Sequence, residues 1–335
     1  MKVHIRKHLL IAFGLCVILF AASTSWTQNK REVLSRRSLP LGGRGADHVM
    51  VVVRDIDATS KVFSNTLGFN VSQRSKFPEG VENSVMHFKN RSFLELLGVY
   101  DREKAKETPE VKFLEKHEGG TGFGVHVASA ESALSFLRAR GIESSGPKPY
   151  PSVVPGNPAG MWIWRTVEFK KPTVPGGNVF LIEYNEPLIE EYRRKDPQIF
   201  EASKVHPNTA EKLQAVWVAV KDLKAAVRAY ESIGFTAKRR ISLPQLGAKG
   251  REIEAGEGLV LLLEASSVKG EVASFLTRRG EGVIGVSIKV TELNTALNIL
   301  ETNLKQKLRP YEGAYGKSVL VPVEVTRGIW VEMFK

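Results

Sequence analysis

The sequence predicts an α+β fold of four βαβββ units arranged as two pairs, and two observations predict it. The first is a repeated phrase. Asp47-His48-Val49-Met50-Val51-Val52-Val53-Arg54-Asp55 leads an apolar run into an Asp suited to cap a helix, and Val216-Trp217-Val218-Ala219-Val220-Lys221-Asp222 repeats the arrangement. The helices that follow end in Leu67-Gly68-Phe69 and Ile233-Gly234-Phe235, so each copy reads as strand, N-cap, helix and glycine turn. The second observation is that two more strand-and-helix segments, opening at Gly122 and Val283, stand between these copies and after them.

Taken in order, the first unit runs from Asp47 to Tyr100. It has a strand at His48–Arg54, a helix at Ala58–Leu67 and strands near Asn70–Arg74, Ser84–Phe88 and Phe93–Leu97. The second opens with Gly122–Ala128. Its helix, Glu131–Arg140, carries Ala133, Leu134 and Leu137 at helical spacing, and its strands lie near Met161–Phe169 and Asn178–Tyr184. Pro147–Gly160 is rich in Pro and Gly and reads as an irregular loop. Residues 188–211 are charged, lack a strand pattern and read as a linker, with a short helix at Leu188–Arg194. The third unit starts at Gln214 and closes with Leu259–Glu264. The fourth starts at Val283, has its helix at Glu292–Leu304 and ends with Ile329–Phe334. The expected domains are therefore 46–187 and 212–335.

Ahead of them, residues 1–25 read as a cleavable secretory signal. Lys2, Arg6 and Lys7 precede an uncharged apolar run, Leu9–Ala22, that is short for the roughly 20 residues a bilayer span needs. This predicts export, to a periplasmic or extracellular location. The alternative is an uncleaved anchor, which would be the only contact with a membrane. Residues 26–45 read as a polar, basic and disordered spacer. The net charge of +12 is concentrated here: eight Lys/Arg against Glu32 give +7 over residues 1–45, leaving +5 for the folded part. Nothing in the folded part suggests nucleic-acid binding. The single cysteine, Cys16, lies in the targeting segment, which excludes disulfides and thiolate chemistry from a mature exported chain.

Four paired βαβββ units resemble the vicinal oxygen chelate superfamily, which includes glyoxalase I, methylmalonyl-CoA epimerase, extradiol dioxygenases and bleomycin-resistance proteins. Asp47-His48-Val49, Leu67-Gly68-Phe69 and Phe93-Leu94-Glu95-Leu96-Leu97 carry the likeness, most clearly to a glyoxalase-like domain. The resemblance implies two glyoxalase-like domains with cupped mixed sheets, the first and last strands of each unit lining the cavity. It also implies a divalent metal in the first domain, held by His48, Glu95, His126 and Glu183. Two imidazoles and two carboxylates suit Zn, Ni, Co, Mn or Fe. In the second domain the matching residues read as Ala215, Glu264, Ser287 and Glu332, which predicts no transition metal there.

Such a metal would chelate neighbouring substrate oxygens and stabilise an enediolate, with Glu183 as the expected general base and Glu95 second. The expected activity is a metal-dependent lyase or isomerase of glyoxalase type acting on a small molecule. Two readings compete: an extradiol-type Fe(II) dioxygenase using His48, His126 and Glu183, and a non-catalytic small-molecule-binding or resistance protein. A homodimer is left open. His87, Trp162 and Trp164 read as structural, Arg165 as reaching an anion or solvent, and Gly119-Gly120 carries no role.

Overall fold

Helix starts in this chain are fixed by short polar side chains that follow apolar strands. In the computed structural model, which describes residues 41, 43–151 and 161–335, Asp55 accepts from the Ala58 N–H at 2.8 Å, Ser129 from Ser132 at 3.2 Å and Asp222 from Ala225 at 2.9 Å. Each such cap contributes about 1 kcal/mol. The fourth helix begins after Glu292, which makes no side-chain cap. The expected signal peptide and most of the spacer lie outside the described residues. No helix among the described residues is long and apolar enough to cross a membrane.

The first unit comprises β1 (Gly45–Val52), α1 (Ile56–Lys61, continued by one π-helical turn through Thr66), β2 (Ser75–Lys76), β3 (Val81–His87) and β4 (Phe93–Val99). Two short helices follow, α2 (Arg102–Ala105) and α3 (Pro109–Leu114). The second unit is β5 (Gly119–His126), α4 (Ala130–Ala139), β6 (Ser144–Pro151), β7 (Trp162–Phe169) and β8 (Asn178–Tyr184). Helices α5 (Glu186–Lys195) and α6 (Pro197–Ala202) connect to β9 (Ala210–Val220), α7 (Leu223–Ser232), β10 (Thr236–Leu243), β11 (Ala248–Glu254) and β12 (Leu259–Ala265). Helix α8 (Glu271–Arg279) precedes the fourth unit: β13 (Gly282–Val290), α9 (Leu293–Leu304), β14 (Tyr311–Gly313), β15 (Gly316–Val321) and β16 (Trp330–Phe334).

Two expectations are corrected. The strand expected near Asn70–Arg74 is reduced to Ser75–Lys76. The start of the expected loop at Pro147 lies inside strand β6, and residues 152–160 lie outside the described residues.

The units pair into two eight-stranded mixed sheets of the same order, β2-β3-β4-β1-β5-β8-β7-β6 and β10-β11-β12-β9-β13-β16-β15-β14. At the centre of each sheet, the first strands of two units run antiparallel, and each lies parallel to the last strand of its own unit. Alternation then sorts the side chains. On β1, Val49 and Val51 join the main core, as does Val53 just beyond it, while Met50 and Val52 line the cup. The main core is shared: Phe63, Leu94, Phe123 and Leu181 of the first half belong to one cluster with Val218, Tyr230, Leu262 and Met333 of the second. Burying each such side chain contributes about 1.5–3 kcal/mol.

Both cups are filled from the connections inside each pair. Ala105 and Leu114 of α2 and α3 pack on Met50, Val52, Val81 and Leu97 in the first. Val272 and Phe275 of α8 pack on Trp217, Leu261 and Leu263 in the second. Arg279, at the end of α8, ties the halves together. Its guanidinium lies between the rings of Phe113 and Phe275, 5.0 and 4.9 Å from their centroids, and donates to the carbonyls of Glu118 and Gly120 at 3.1 and 2.9 Å. Close approach of the two sheets requires Gly120, where a Cβ would come within 2.7 Å of Val283.

Candidate functional site

The site begins with an irregularity in β1. Across β1–β5, Ala46 pairs with Val125 and His48 with Gly124, so Asp47 has no partner and forms a bulge. The bulge brings two consecutive polar side chains together: His48 Nδ1 lies 2.9 Å from Asp47 Oδ2. Tyr184 donates its hydroxyl to the same oxygen at 2.6 Å, and Arg44 donates to Oδ1 at 3.3 Å. Burial works to raise the Asp47 pKa, but the hydrogen bonds and charges of His48, Tyr184 and Arg44 outweigh it and hold the carboxyl below its ordinary range. Tyr184 is pushed well above the phenolic range by its own burial and by the Asp47 charge.

The His48 ring stacks on Phe93 with centroids 4.5 Å apart and planes 5° apart. It also occupies the space of a missing side chain at Gly124, where a Cβ would lie 2.4 Å from His48 Cε1. Glu95 faces the same cup and accepts from Asn83 Nδ2 at 2.7 Å. Its burial pushes its pKa up, against the nearby His48 and the Asn83 hydrogen bond. His48 and Glu95 are thus brought together.

The other two expected ligands are not. His126 is buried at the rim, its ring stacked on Tyr184 with centroids 5.9 Å apart, and its Nδ1 accepts from the Arg44 backbone N–H at 3.1 Å. Burial, seconded by the charge of Arg44, lowers its pKa to about 4. Glu183 alternates with the core residues Val179 and Leu181, so it projects from the helix side of β8. There its carboxylate accepts from the Ala130 N–H at the start of α4, at 2.7 Å, and from Arg165 Nε at 2.8 Å. The expected roles of Glu183 as metal ligand and general base are corrected on this ground.

Register gives the residues that do correspond. His48 stands seven residues before the N-cap Asp55, and the same count from Ser129, Asp222 and Glu292 reaches Gly122, Ala215 and Gly285. Glu95 lies opposite Met50, two residues beyond His48. The matching positions beside Gly124, Trp217 and Ser287 are Phe180, Leu261 and Glu332. The first half therefore keeps one imidazole and one carboxylate, with Gly122 and Phe180 where its second pair would stand. Among the described residues, no three His, Cys, Asp or Glu side chains are placed to share a metal ion. The expected four-ligand centre does not fit, and neither does the dioxygenase triad of His48, His126 and Glu183.

In the second half Ala215 stands at the His48 position, as expected, but the other three expected equivalences fail: register sets Leu261 rather than Glu264 at the Glu95 position, and Ser287 and Glu332 match Gly124 and Phe180 rather than His126 and Glu183. Glu264 caps the start of α7, accepting from the Leu223 N–H at 3.0 Å, as Glu183 caps α4. In the second cup, Trp217 Nε1 donates to Ser287 Oγ at 2.8 Å. Ser287 and Tyr311 each donate to Glu332 at 2.6 Å, and burial raises the Glu332 pKa.

Of the secondary candidates, Trp164 stacks on Tyr150 at 4.4 Å, and the Arg165 guanidinium lies 4.6 Å from the Trp162 ring and pairs with Glu131 and Glu183. His87 lines a cleft with Arg44, Arg91 and Lys204. Sequence reasoning assigned no role to Asp47, Arg44, Asn83 or Tyr184. Only Asp47 carried a signal, as the acidic neighbour of His48.

A family model described as a glyoxalase-like domain matches residues 46–234. No curated protein matches the sequence. Among solved structures, a variant of 4-hydroxymandelate synthase from Streptomyces coelicolor is similar at 16% identity and a TM-score of 0.62, covering 87% of this chain and 92% of its own. A hypothetical protein from Staphylococcus aureus is similar at 14% identity and a TM-score of 0.55, covering 86% of this chain and 98% of its own. A methylmalonyl-CoA epimerase from Mycobacterium tuberculosis aligns with 37% of this chain at 18% identity and a TM-score of 0.34, covering 87% of its own length.

Proposed function

The chain belongs to the glyoxalase-like domain family, within the vicinal oxygen chelate fold, and on that footing we propose that its first half moves protons on a small, oxygen-rich substrate. The reaction class is lyase or isomerase, with His48 as general base and Glu95 as the partnering acid. One observation carries this reading, the 2.9 Å contact between His48 Nδ1 and Asp47 Oδ2. An ionised carboxylate can only accept, so the proton of a neutral His48 resides on Nδ1 and Nε2 is left with its lone pair. Asp47 then positions the ring and stabilises the imidazolium that forms once a proton is taken. Glu95, whose pKa burial raises, holds its proton closer to neutrality than a solvated glutamate and can return it to a substrate oxygen.

The test is proton exchange itself. In deuterated water, the protein should wash deuterium into the carbon next to the carbonyl of at least one member of a panel of small α-hydroxy and α-keto compounds. His48→Gln and Glu95→Gln should each slow that exchange by about a hundredfold or more. Exchange at the wild-type rate in His48→Gln would remove His48 from the chemistry. One observation favours a second reading, in which the protein only binds its small molecule: Phe93 and Gly124 cover both faces of the His48 ring. Saturable binding without exchange would select it.

A further inference from the structure

Outside the cup, beyond Phe93 and Tyr184, lies a cleft of about 130 Å³. Its walls mix aromatic rings and cations in a way the acid–base reading does not use. Arg44 precedes β1, and Arg91 sits in the β3–β4 turn. Both guanidiniums converge on one carboxylate, Glu186, at the start of α5: Arg44 Nη1 lies 3.2 Å from Oε1, and Arg91 bonds Oε2. Among the described residues Arg44 Nε is buried without a partner, so there this guanidinium retains an unused donor. Arg91 has a backbone φ of 71°, left-handed and costly by about 1–2 kcal/mol for a residue with a side chain. Glycine or asparagine would serve the turn better; arginine places a charge at the cleft.

His87, Ser203 and Lys204 also line the cleft, and the remainder of its wall is apolar. Phe93 and Tyr184 belong to its lining, and Phe88, Ile189 and Phe200 complete it. Lys204, itself buried, holds its ammonium 4.2 Å from the Phe200 centroid and 2.8 Å from Glu201. The counter-charges differ in how firmly they are held. Asp47 is fully enclosed and committed to His48, Tyr184 and Arg44. Glu186 is 38% exposed and, among the described residues, is held only by the two arginines, so its side chain can swing out without opening the core.

We propose that this cleft binds a flat, aromatic monocarboxylate, whose carboxylate displaces Glu186 from Arg44 and Arg91 while its ring lies among Phe93, Tyr184 and Phe200. Glu186 occupies, in the free protein, the place the ligand's carboxylate takes. Two forked guanidiniums match a carboxylate geometrically, and the aromatic walls select a flat body over a small hydrated anion. The proposal is independent of the proton-transfer reading, and its test involves no turnover.

The full chain is titrated with benzoate, benzamide and inorganic phosphate, with binding followed by calorimetry or by ligand-detected NMR. Benzoate should bind at least tenfold more tightly than either benzamide or phosphate. Arg91→Ala should weaken benzoate at least tenfold. Glu186→Gln removes the internal competitor and should strengthen benzoate several-fold; because it alters an exposed side chain, it also covers the case in which Arg91→Ala fails to fold. Benzamide matching benzoate would overturn the charge requirement, and phosphate matching benzoate would overturn the aromatic one. Unchanged or weaker benzoate binding in Glu186→Gln, or no benzoate binding to the wild type, would overturn the displacement and the site.

Discussion

Replacing Trp217 by alanine is expected to lower the unfolding free energy by about 4 kcal/mol, the range for emptying a buried aromatic site. The indole is fully buried in the second cup, against Gly285, where a Cβ would come within 2.6 Å of its Cε3. Truncation removes the ring from contact with Leu261, Leu263 and Phe275, and leaves Ser287 without the indole donor. Ser287 then loses the partner that fixes its own hydroxyl toward Glu332. Urea denaturation of the wild type and variant measures the difference. A loss below about 1 kcal/mol would mean that the second cup is loosely filled rather than packed around this side chain. Trp217→Phe should fall between the two, retaining most of the volume and losing only the donor.

The second large effect is a loss of stability in acid. His126 is buried, and its folded-state pKa is depressed from 6.5 to about 4. A depressed histidine means that the unfolded chain binds the proton more readily. Stability is therefore complete above about pH 6.5 and falls as the pH drops toward 4, by up to about 3 kcal/mol at 1.36 kcal/mol per pKa unit. Protonation is costly here first because the ring is buried and then because it lies beside the Arg44 guanidinium; a proton on Nδ1 would also meet the Arg44 N–H that Nδ1 now accepts. His126→Asn supplies an acceptor without a titrating group. The difference between the two stability curves isolates His126 from the buried acids Glu95 and Glu332. Their raised pKa values work in the opposite direction, stabilising the fold as it acidifies. A variant with an undiminished slope between pH 6.5 and 4 would assign the acid loss elsewhere.

The contrast between His48 and Glu183 shows how far the sequence could be read. The four units were legible because each strand is followed by a helix start, and in two of them the same Leu/Ile-Gly-Phe turn returns. Those signals are local in the chain. Placing a side chain in the cup needs the register of a strand, and a one-residue error moves it to the other face. Along Val179-Phe180-Leu181-Ile182-Glu183-Tyr184 both faces are apolar, so alternation did not say which one met the cup. Glu95 was safe because its helix-side neighbours, Leu94 and Leu96, enter the main core. Counting back from the N-caps would have exposed the mismatch of His126, which lies three residues before Ser129 where His48 lies seven before Asp55. The filling of the cups by α2, α3 and α8 had no comparable signal, because helices of four to nine residues carry too few turns to show which face is apolar.

The apolar cluster that runs unbroken from Phe63 to Met333 bears on how the chain comes apart. Neither half owns a complete interior: separated, each would offer water the inner faces of Val51 and Phe123, or of Val218 and Val286. The α5–α6 connection is then a tether between mutually dependent pieces, and the protein behaves as a heterodimer that happens to be covalently joined. Slow amide exchange in β1, β5, β9 and β13 should report one common opening event, and a backbone cut within residues 186–203 should leave the two fragments associated.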